Sequence, residues 1–127
     1  MSDGSSRVRV FMTAWFSKAA RKAKINDDEL CRAIAQVMVG QADDLGGGVF
    51  KKRLNRNEHR SIILTKWGDF WIYEYLFAKK DMENINAAEL KAFKLLATSY
   101  ANLNDAQIDQ LLKTKAWAEI CKEIRHE

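Results

Sequence analysis

The stretch RSIILTKWGDFWIYEYLF, from Arg60 to Phe77, decides the fold because it predicts two adjacent strands. Its halves, Arg60 to Trp67 and Phe70 to Phe77, are rich in β-branched and aromatic residues, and Gly68 and Asp69 form a turn between them. In the second half, apolar side chains occur at both odd- and even-numbered positions, that is, on both faces of the predicted strand. We therefore expect central strands whose two faces are both covered by helices or by a partner.

Upstream of this hairpin, the sequence predicts two further strands and two helices. Val49 to Asn55 has the composition of a strand, and Arg7 to Met12 alternates loosely enough for a first one. Between these segments, Thr13 and Asn26 are capping residues that each open an amphipathic helix, and the second helix ends near Gly40.

Downstream, Asn86 caps a third helix and Asp105 starts a fourth. The segment from Trp117 to Ile124 fits a helix or a short strand, and we favour the helix. The order βααβββαα predicts one α+β domain over residues 1–127, with residues 1–6 disordered. In this fold, a small antiparallel sheet carries two N-terminal helices and the C-terminal helices.

Composition limits the classes of function. A chain of 127 residues with 47% hydrophobic residues can build one core. No run is long enough to span a bilayer and Met1 to Ser6 lacks the pattern of a signal peptide, so we expect a cytoplasmic protein. Cys31 and Cys121 lie in apolar segments outside any CxxC or Cys/His cluster, which predicts buried free thiols and no metal site. The sequence has none of the common enzyme motifs, and we expect no cofactor.

The net charge of +4 is confined to one part of the chain. Between Gly46 and Arg60 there are five basic residues and one acidic residue, and the remaining basic and acidic residues cancel. A concentrated patch of this kind attracts phosphates. The glycine run from Gly46 to Gly48 separates helices from sheet and permits positive φ or the close approach of another segment.

The basic residues of this patch lie on predicted strands. Side chains alternate along a strand, so Lys51 and Arg53 share one face while Lys52 and Arg56 share the other. One interpretation is an edge strand that its lysines protect from aggregation. The other is an anion site, because Arg60 begins the next strand and Lys79 follows the strand after it, so that cations converge.

Aromatic residues of the last central strand have two possible roles. Tyr75 and Phe77 are core residues or, because they lie close to Lys79, surfaces on which nucleobases stack. His59 lies in polar sequence, where an ordinary solvated imidazole is expected.

Several segments carry a resemblance to a known family. LGGGVFKKR from Leu45 to Arg53, RSII from Arg60, FAK from Phe77 to Lys79, and Ile85 with the later ELK together resemble the RelE/HigB group of toxins. The similarity covers about Arg7 to Leu112. One difference is that this chain has Asn57-Glu58-His59-Arg60 where such toxins usually have Gly-Gly-Tyr-Arg.

The resemblance implies a metal-independent endoribonuclease that cuts messenger RNA in the ribosomal A site. It also implies an antitoxin with a helix-turn-helix domain as partner, with DNA bound only indirectly through that antitoxin. The residues carried over as catalytic are Arg60, Lys79 and Lys52. Those carried over as RNA-binding are Lys51, Arg53, Arg56, His59, Tyr75 and Phe77. The alternative is a non-enzymatic module that binds the antitoxin or another target, such as a topoisomerase.

Overall fold

The structure, a computed structural model, describes residues 8–66 and 69–122. Within these ranges the chain forms six strands and four helices. In chain order they are β1 (Arg9–Thr13), α1 (Ala14–Lys22), α2 (Asp27–Met38), β2 (Asp43–Gly46), β3 (Val49–Leu54), β4 (His59–Lys66), β5 (Phe70–Ala78), α3 (Ala87–Ala101), α4 (Asp105–Lys113) and β6 (Trp117–Ile120).

The strands form one sheet in the order β2-β3-β4-β5-β1-β6. Every neighbouring pair is antiparallel except β1 and β5, which run parallel. The predicted α+β class with a mostly antiparallel sheet is thus confirmed. Since β2 pairs with β3 from Val49 to Lys51, the interpretation of the basic segment as an edge strand is wrong for these residues, whereas β2 does not extend along Lys52 to Leu54.

Helices cover both faces of the sheet, as the apolar pattern of β5 predicts. The side chains of α1 and α2 pack against Tyr73 and Leu76 on one face. On the other face, α3 packs against Phe77 and α4 against Ile72. We call these the α2 face and the α3 face. No helix in the described ranges has the length and apolar composition needed to cross a membrane.

The helix starts follow the predicted capping residues. The side chains of Thr13, Asn26 and Asn86 each accept a hydrogen bond from the backbone N–H three residues ahead, which satisfies a donor that the first helical turn leaves open. The fourth helix begins at Asp105 as predicted, with Asn104 as its cap.

Two segments differ from the prediction. The segment Trp117–Ile120 is strand β6 rather than helix, because it pairs antiparallel with β1 and buries Trp117 and Ile120 on opposite faces. Asp43–Gly46 forms the additional strand β2, with a bulge against β3. Gly68, predicted as part of a turn, and residues 1–6, predicted as disordered, lie outside the described residues.

The two cysteines form a disulfide, so the prediction of free thiols is wrong. Cys31 lies in α2, and Cys121 follows β6 directly. The sequence interpretation missed this pairing because it treated the tail as a helix, whereas β6 brings Cys121 beside α2. The bond joins residues 90 positions apart and ties the end of the chain to the helix layer.

Reduction of this disulfide should lower the stability of the protein. A cross-link over a loop of this length removes chain entropy from the unfolded state, which the loop-entropy model puts at about 4 to 5 kcal/mol. Denaturant unfolding of the oxidised and reduced protein measures the difference. A Cys31→Ser, Cys121→Ser double variant is the control, since its midpoint should not respond to reductant. Equal midpoints for oxidised and reduced wild type would contradict the prediction.

The glycine run forms the tight turn between β2 and β3. Gly46, Gly47 and Gly48 all have positive φ, as the sequence analysis allowed. A Cβ on Gly48 would lie 2.9 Å from the carbonyl oxygen of Thr65, and one on Gly47 would lie 2.9 Å from Lys94 Cγ of α3. The run therefore serves a close approach of backbone and helix, which is a structural role.

Gly48→Ala should destabilise the fold by about 1 to 3 kcal/mol, because it combines a left-handed backbone with a clash against fixed backbone. Gly40→Ala is the matched control. Gly40 also has positive φ, but a Cβ there would meet nothing within 4 Å. Thermal unfolding of both variants should therefore show a larger loss for Gly48→Ala, and equal losses would refute the clash.

Candidate nucleic-acid interface

Strand register brings the basic residues to one end of the sheet. Arg53 of β3 lies opposite Arg60 of β4, and Arg60 lies opposite Phe77 of β5. Two residues further along β4, Ile62 lies opposite Lys51 of β3 and opposite Tyr75 of β5. Because side chains alternate along strands, these residues share the α3 face. Sequence alternation alone had predicted that Lys51 and Arg53 point together.

Arg53 and Arg60 form a pair of like charges on neighbouring strands. Within residues 8–66 and 69–122, neither has a carboxylate within 4 Å, since the ion pairs there are Arg9 with Glu119 and Lys51 with Asp43. Like charges directly opposite each other destabilise a sheet. An anion bound between the two guanidinium groups would remove this repulsion.

Arg60 is only 8% exposed, and its guanidinium is held by the loop between β3 and β4. One terminal nitrogen, Nη1, donates to the carbonyl oxygen of Asn57 at 2.9 Å and to that of His59 at 3.3 Å. A guanidinium carries five N–H donors, so these bonds fix the orientation of the side chain without using all of its donors.

The loop that Arg60 supports has an unusual backbone. Asn55, Arg56 and Asn57 all have positive φ, between 54° and 71°, and Glu58 N donates to Asn55 O at 2.9 Å. Asn57 stands where the resembling toxins have glycine. Asparagine is among the non-glycine residues that best tolerate this conformation, which explains how this chain forms the turn without glycine. Arg56 lies exposed in this loop.

The two lysines of the α3 face differ in their surroundings. Lys51 Nζ lies 3.6 Å from Asp43 Oδ2 and 3.3 Å from Asn84 Oδ1, so its charge is partly compensated. Lys79 continues the ladder one residue beyond β5, because its N–H donates to Glu58 O at 2.8 Å. The Lys79 side chain is exposed, which leaves its ammonium group open to a ligand.

Lys52 and His59 are not brought together with Arg60. Strand alternation puts both on the α2 face, where Lys52 Nζ donates to Gln41 O at 2.9 Å and His59 Nδ1 lies 3.1 Å from Asn55 Nδ2. Burial, and secondarily the charge of Arg53, lowers the pKa of Lys52. The sheet therefore separates the side chains of Lys52 and His59 from that of Arg60, while the roles of Lys52 as catalytic and of His59 as RNA-binding stay predictions.

The two aromatic candidates also separate. Phe77 is 6% exposed and belongs to the core beneath α3, so it offers no free ring face for a base, and the core interpretation applies to it. Tyr75 is half-buried and contacts the rings of Phe77, Phe93 and Trp15.

A notch in the sheet lies beside Tyr75. Strand β1 pairs with β5 only from Phe70 to Tyr73, so the rest of β5 has β4 on one side and, in the described part of the chain, no strand on the other. Trp15, in the first turn of α1, fills this notch and stacks on Tyr75 with ring centroids 5.1 Å apart. Trp15 is nevertheless 52% exposed.

Glu74 is a second residue of this region that the sequence did not single out. It is the extra residue of a β-bulge in β5, at the point where the pairing with Ile62 and Ile63 shifts register. Its Oε1 accepts a hydrogen bond from Tyr100 Oη of α3 at 2.8 Å. Burial raises the pKa of Glu74, and the hydrogen bond from Tyr100 opposes the shift only in part.

This raised pKa predicts how stability depends on pH. The folded protein binds the Glu74 proton more tightly than the unfolded chain does, so this contribution to stability is fully present below the ordinary pKa of a glutamate carboxyl and is lost as pH rises through the raised pKa of the folded state. As pH rises from the unfolded to the folded pKa of Glu74, the free energy of unfolding of wild type should therefore fall relative to that of Glu74→Gln. Denaturant titrations of both proteins across this pH range measure this difference, and parallel curves would contradict the prediction.

Fold and site together define a small α+β protein whose sheet ends in a cluster of arginine and lysine residues. The family model described as RelE toxin of the RelE / RelB toxin-antitoxin system matches residues 8–120. The chain therefore belongs to the RelE toxin family. As a member, it is the toxin of a toxin-antitoxin pair and has an antitoxin as its partner. No curated protein matches the chain.

Proposed function

We propose that this toxin is a ribosome-dependent endoribonuclease that cuts messenger RNA and thereby inhibits translation. The observation that carries the proposal is the facing pair Arg53 and Arg60, two cations without a carboxylate partner in the described ranges. Such a pair suits the phosphate backbone of RNA, and family membership supports the same activity.

Cleavage of RNA by its own 2′-OH requires removal of the hydroxyl proton, stabilisation of charge on the phosphate, and protonation of the leaving oxygen. Arginine and lysine side chains can stabilise the phosphate because they supply charge and several donors. Lys52, whose pKa is lowered by burial, and His59 are side chains that can accept a proton, but both lie on the opposite face. The proposal therefore assigns most of the rate enhancement to electrostatic stabilisation of the transition state.

Individual roles follow from exposure and orientation. Arg60, oriented by the loop carbonyls, and Lys79, with its exposed ammonium group, hold the scissile phosphate. Arg53 and Arg56, both exposed, hold the flanking backbone. Tyr75 contributes to the surface that a base contacts. Lys51 has a lesser role because Asp43 compensates its charge.

Charge removal at the α3 face should abolish toxicity, whereas charge removal at the α2 face should not. Arg60→Ala and Lys79→Ala should each lower the cleavage rate by about 10²- to 10³-fold, as expected for loss of one transition-state donor. The measurement is the mapping of new RNA ends on ribosomes purified after induced expression. The wild type should produce cuts within A-site codons, and the double variant should not.

Lys52→Ala is the matched control, because it removes one positive charge from β3, the strand next to that of Arg60, but from the opposite face. Arg60→Lys separates charge from geometry, since it keeps the charge and loses the planar fork. If wild type arrests growth no more than the Arg60→Ala, Lys79→Ala variant, or if Lys52→Ala is as inactive as that variant, the proposed site is wrong.

A second candidate is a toxin-fold module that binds its antitoxin without cutting RNA. The low exposure of Arg60 and its bonds to Asn57 and His59 favour this reading, because they give the arginine a structural role. In that case translation would continue after induction, and no new RNA ends would appear. Antitoxin binding, measured by calorimetry, would then be the remaining activity.

The proposed partners are the ribosome with its messenger RNA and an antitoxin that carries a helix-turn-helix domain, through which DNA would be bound indirectly. An antitoxin that covers the Arg53 and Arg60 pair with carboxylates would block RNA and relieve the same repulsion.

A further inference from the structure

An exposed tryptophan on a helix of a small domain calls for an explanation. Trp15 is 52% exposed, while the next residue, Phe16, is fully buried and stacks on Tyr73. The first turn of α1 thus directs the ring of Phe16 into the core and the ring of Trp15 into the notch beside β5. The indole lies nearly parallel to the Tyr75 ring, at an interplanar angle of 18°. Tyr75 therefore fixes the plane of a ring that remains half open to solvent.

The helix that carries this ring is basic, whereas the carboxylate of Glu74, next to Tyr75, accepts a hydrogen bond from Tyr100 of α3. Helix α1 contains Lys18, Arg21 and Lys22 and no acidic residue. Lys18 and Lys22 follow Trp15 at spacings of three and seven, which puts them on the same side of the helix, and both are exposed. On the other side of Tyr75, along the α3 face, lie Phe77 and then Arg60 opposite it.

A flat, pre-oriented ring between two groups of cations matches the chemistry of single-stranded nucleic acid. Nucleobases stack on aromatic side chains, and the phosphates on either side pair with lysine and arginine. An acidic peptide would be attracted by the same charges but has no need of a parallel aromatic pair. The observations therefore favour RNA over a protein segment.

We propose that Trp15, held by Tyr75, is the stacking platform for a nucleobase of the RNA, and that Lys18 binds a phosphate of the next nucleotide along α1. This inference rests on the proposed function and extends the binding surface from the end of the sheet onto α1. A purely structural role, in which the indole only shields Tyr75 where β1 ends, predicts an effect on stability without an effect on RNA affinity.

The test is fluorescence anisotropy of a labelled single-stranded 2′-O-methyl oligoribonucleotide, whose blocked 2′-oxygen prevents cleavage, with the full chain at low salt. Trp15→Ala should weaken binding by about 5- to 150-fold, the range for loss of one stacked base, and Trp15→Phe should weaken it less. Leu95→Ala is the control, because it removes another exposed apolar side chain, 63% exposed, from α3. It should bind as wild type does.

Salt dependence separates stacking from charge. Lys18→Ala should reduce the slope of log affinity against log salt by about 0.7, the value for one phosphate contact on a single strand. Trp15→Ala should leave that slope unchanged. Wild type should bind an oligonucleotide with abasic positions more weakly than the intact one, because the stacked base is missing. Trp15→Ala should bind the two oligonucleotides almost equally. If Trp15→Ala does not fold, wild type and Trp15→Phe compared on the abasic oligonucleotide carry the test.

Failure of this inference is distinguishable from failure of the proposed function. If Trp15→Ala binds RNA like wild type while the Arg60→Ala, Lys79→Ala variant does not, the platform is refuted and the sheet-end site stands. If wild type has no affinity for the oligonucleotide but ribosomes purified after induction carry new RNA ends, the platform is refuted and the proposed function stands. If Trp15→Ala keeps RNA affinity but loses antitoxin binding, the ring is a protein contact and the inference is overturned.

Discussion

The register of β4 against its two neighbours is the constraint on which the rest of the structure depends. A shift of one residue would turn every side chain of a strand to the opposite face. This register places Arg53 opposite Arg60 and Arg60 opposite Phe77, while the bulge between Ile62 and Ile63 adjusts the pairing with β5. Without the bulge, one half of β5 would present its apolar side chains to the wrong helix layer.

Contacts on both faces hold the bulge in place. On the α2 face, Tyr73 Oη donates to the carbonyl oxygen of Leu30 at 2.6 Å, and the Tyr73 ring stacks on Phe16. On the α3 face, Tyr100 Oη donates to Glu74. Two consecutive residues of β5 are thus anchored to opposite helix layers, which leaves the strand little freedom to slip.

The sequence predicted those parts of the fold that local patterns determine. Capping residues such as Asn26 and Asn86 mark helix starts through bonds to residues three positions ahead, and β-branched and aromatic runs mark the central strands. The segment Trp117–Ile120 has four residues whose apolar positions fit either period, so only its pairing with β1 decides its structure. The disulfide depends on that pairing and was hidden for the same reason.

The candidate site was predictable in part. Alternation along β3 separated Lys51 and Arg53 from Lys52 correctly, because it needs only the period of a strand. It could not show that Arg60 is buried under its own loop, since that depends on the left-handed conformation of Asn55 to Asn57. Nor could it show that Trp15 is exposed, because helical periodicity does not reveal that β1 stops at the level of Tyr73.

The arrangement of Arg60 reconciles a structural role with a functional one. Its bonds to two loop carbonyls restrict the rotamers of a long side chain, so little further conformational entropy is lost when the remaining donors meet a phosphate. Under the proposed function, an anion bound beside Arg53 and Arg60 would offset the cost of like charges on facing positions of the sheet. Orientation by the loop and neutralisation of this charge would then both favour binding, whether the anion is a phosphate of RNA or a carboxylate of the antitoxin.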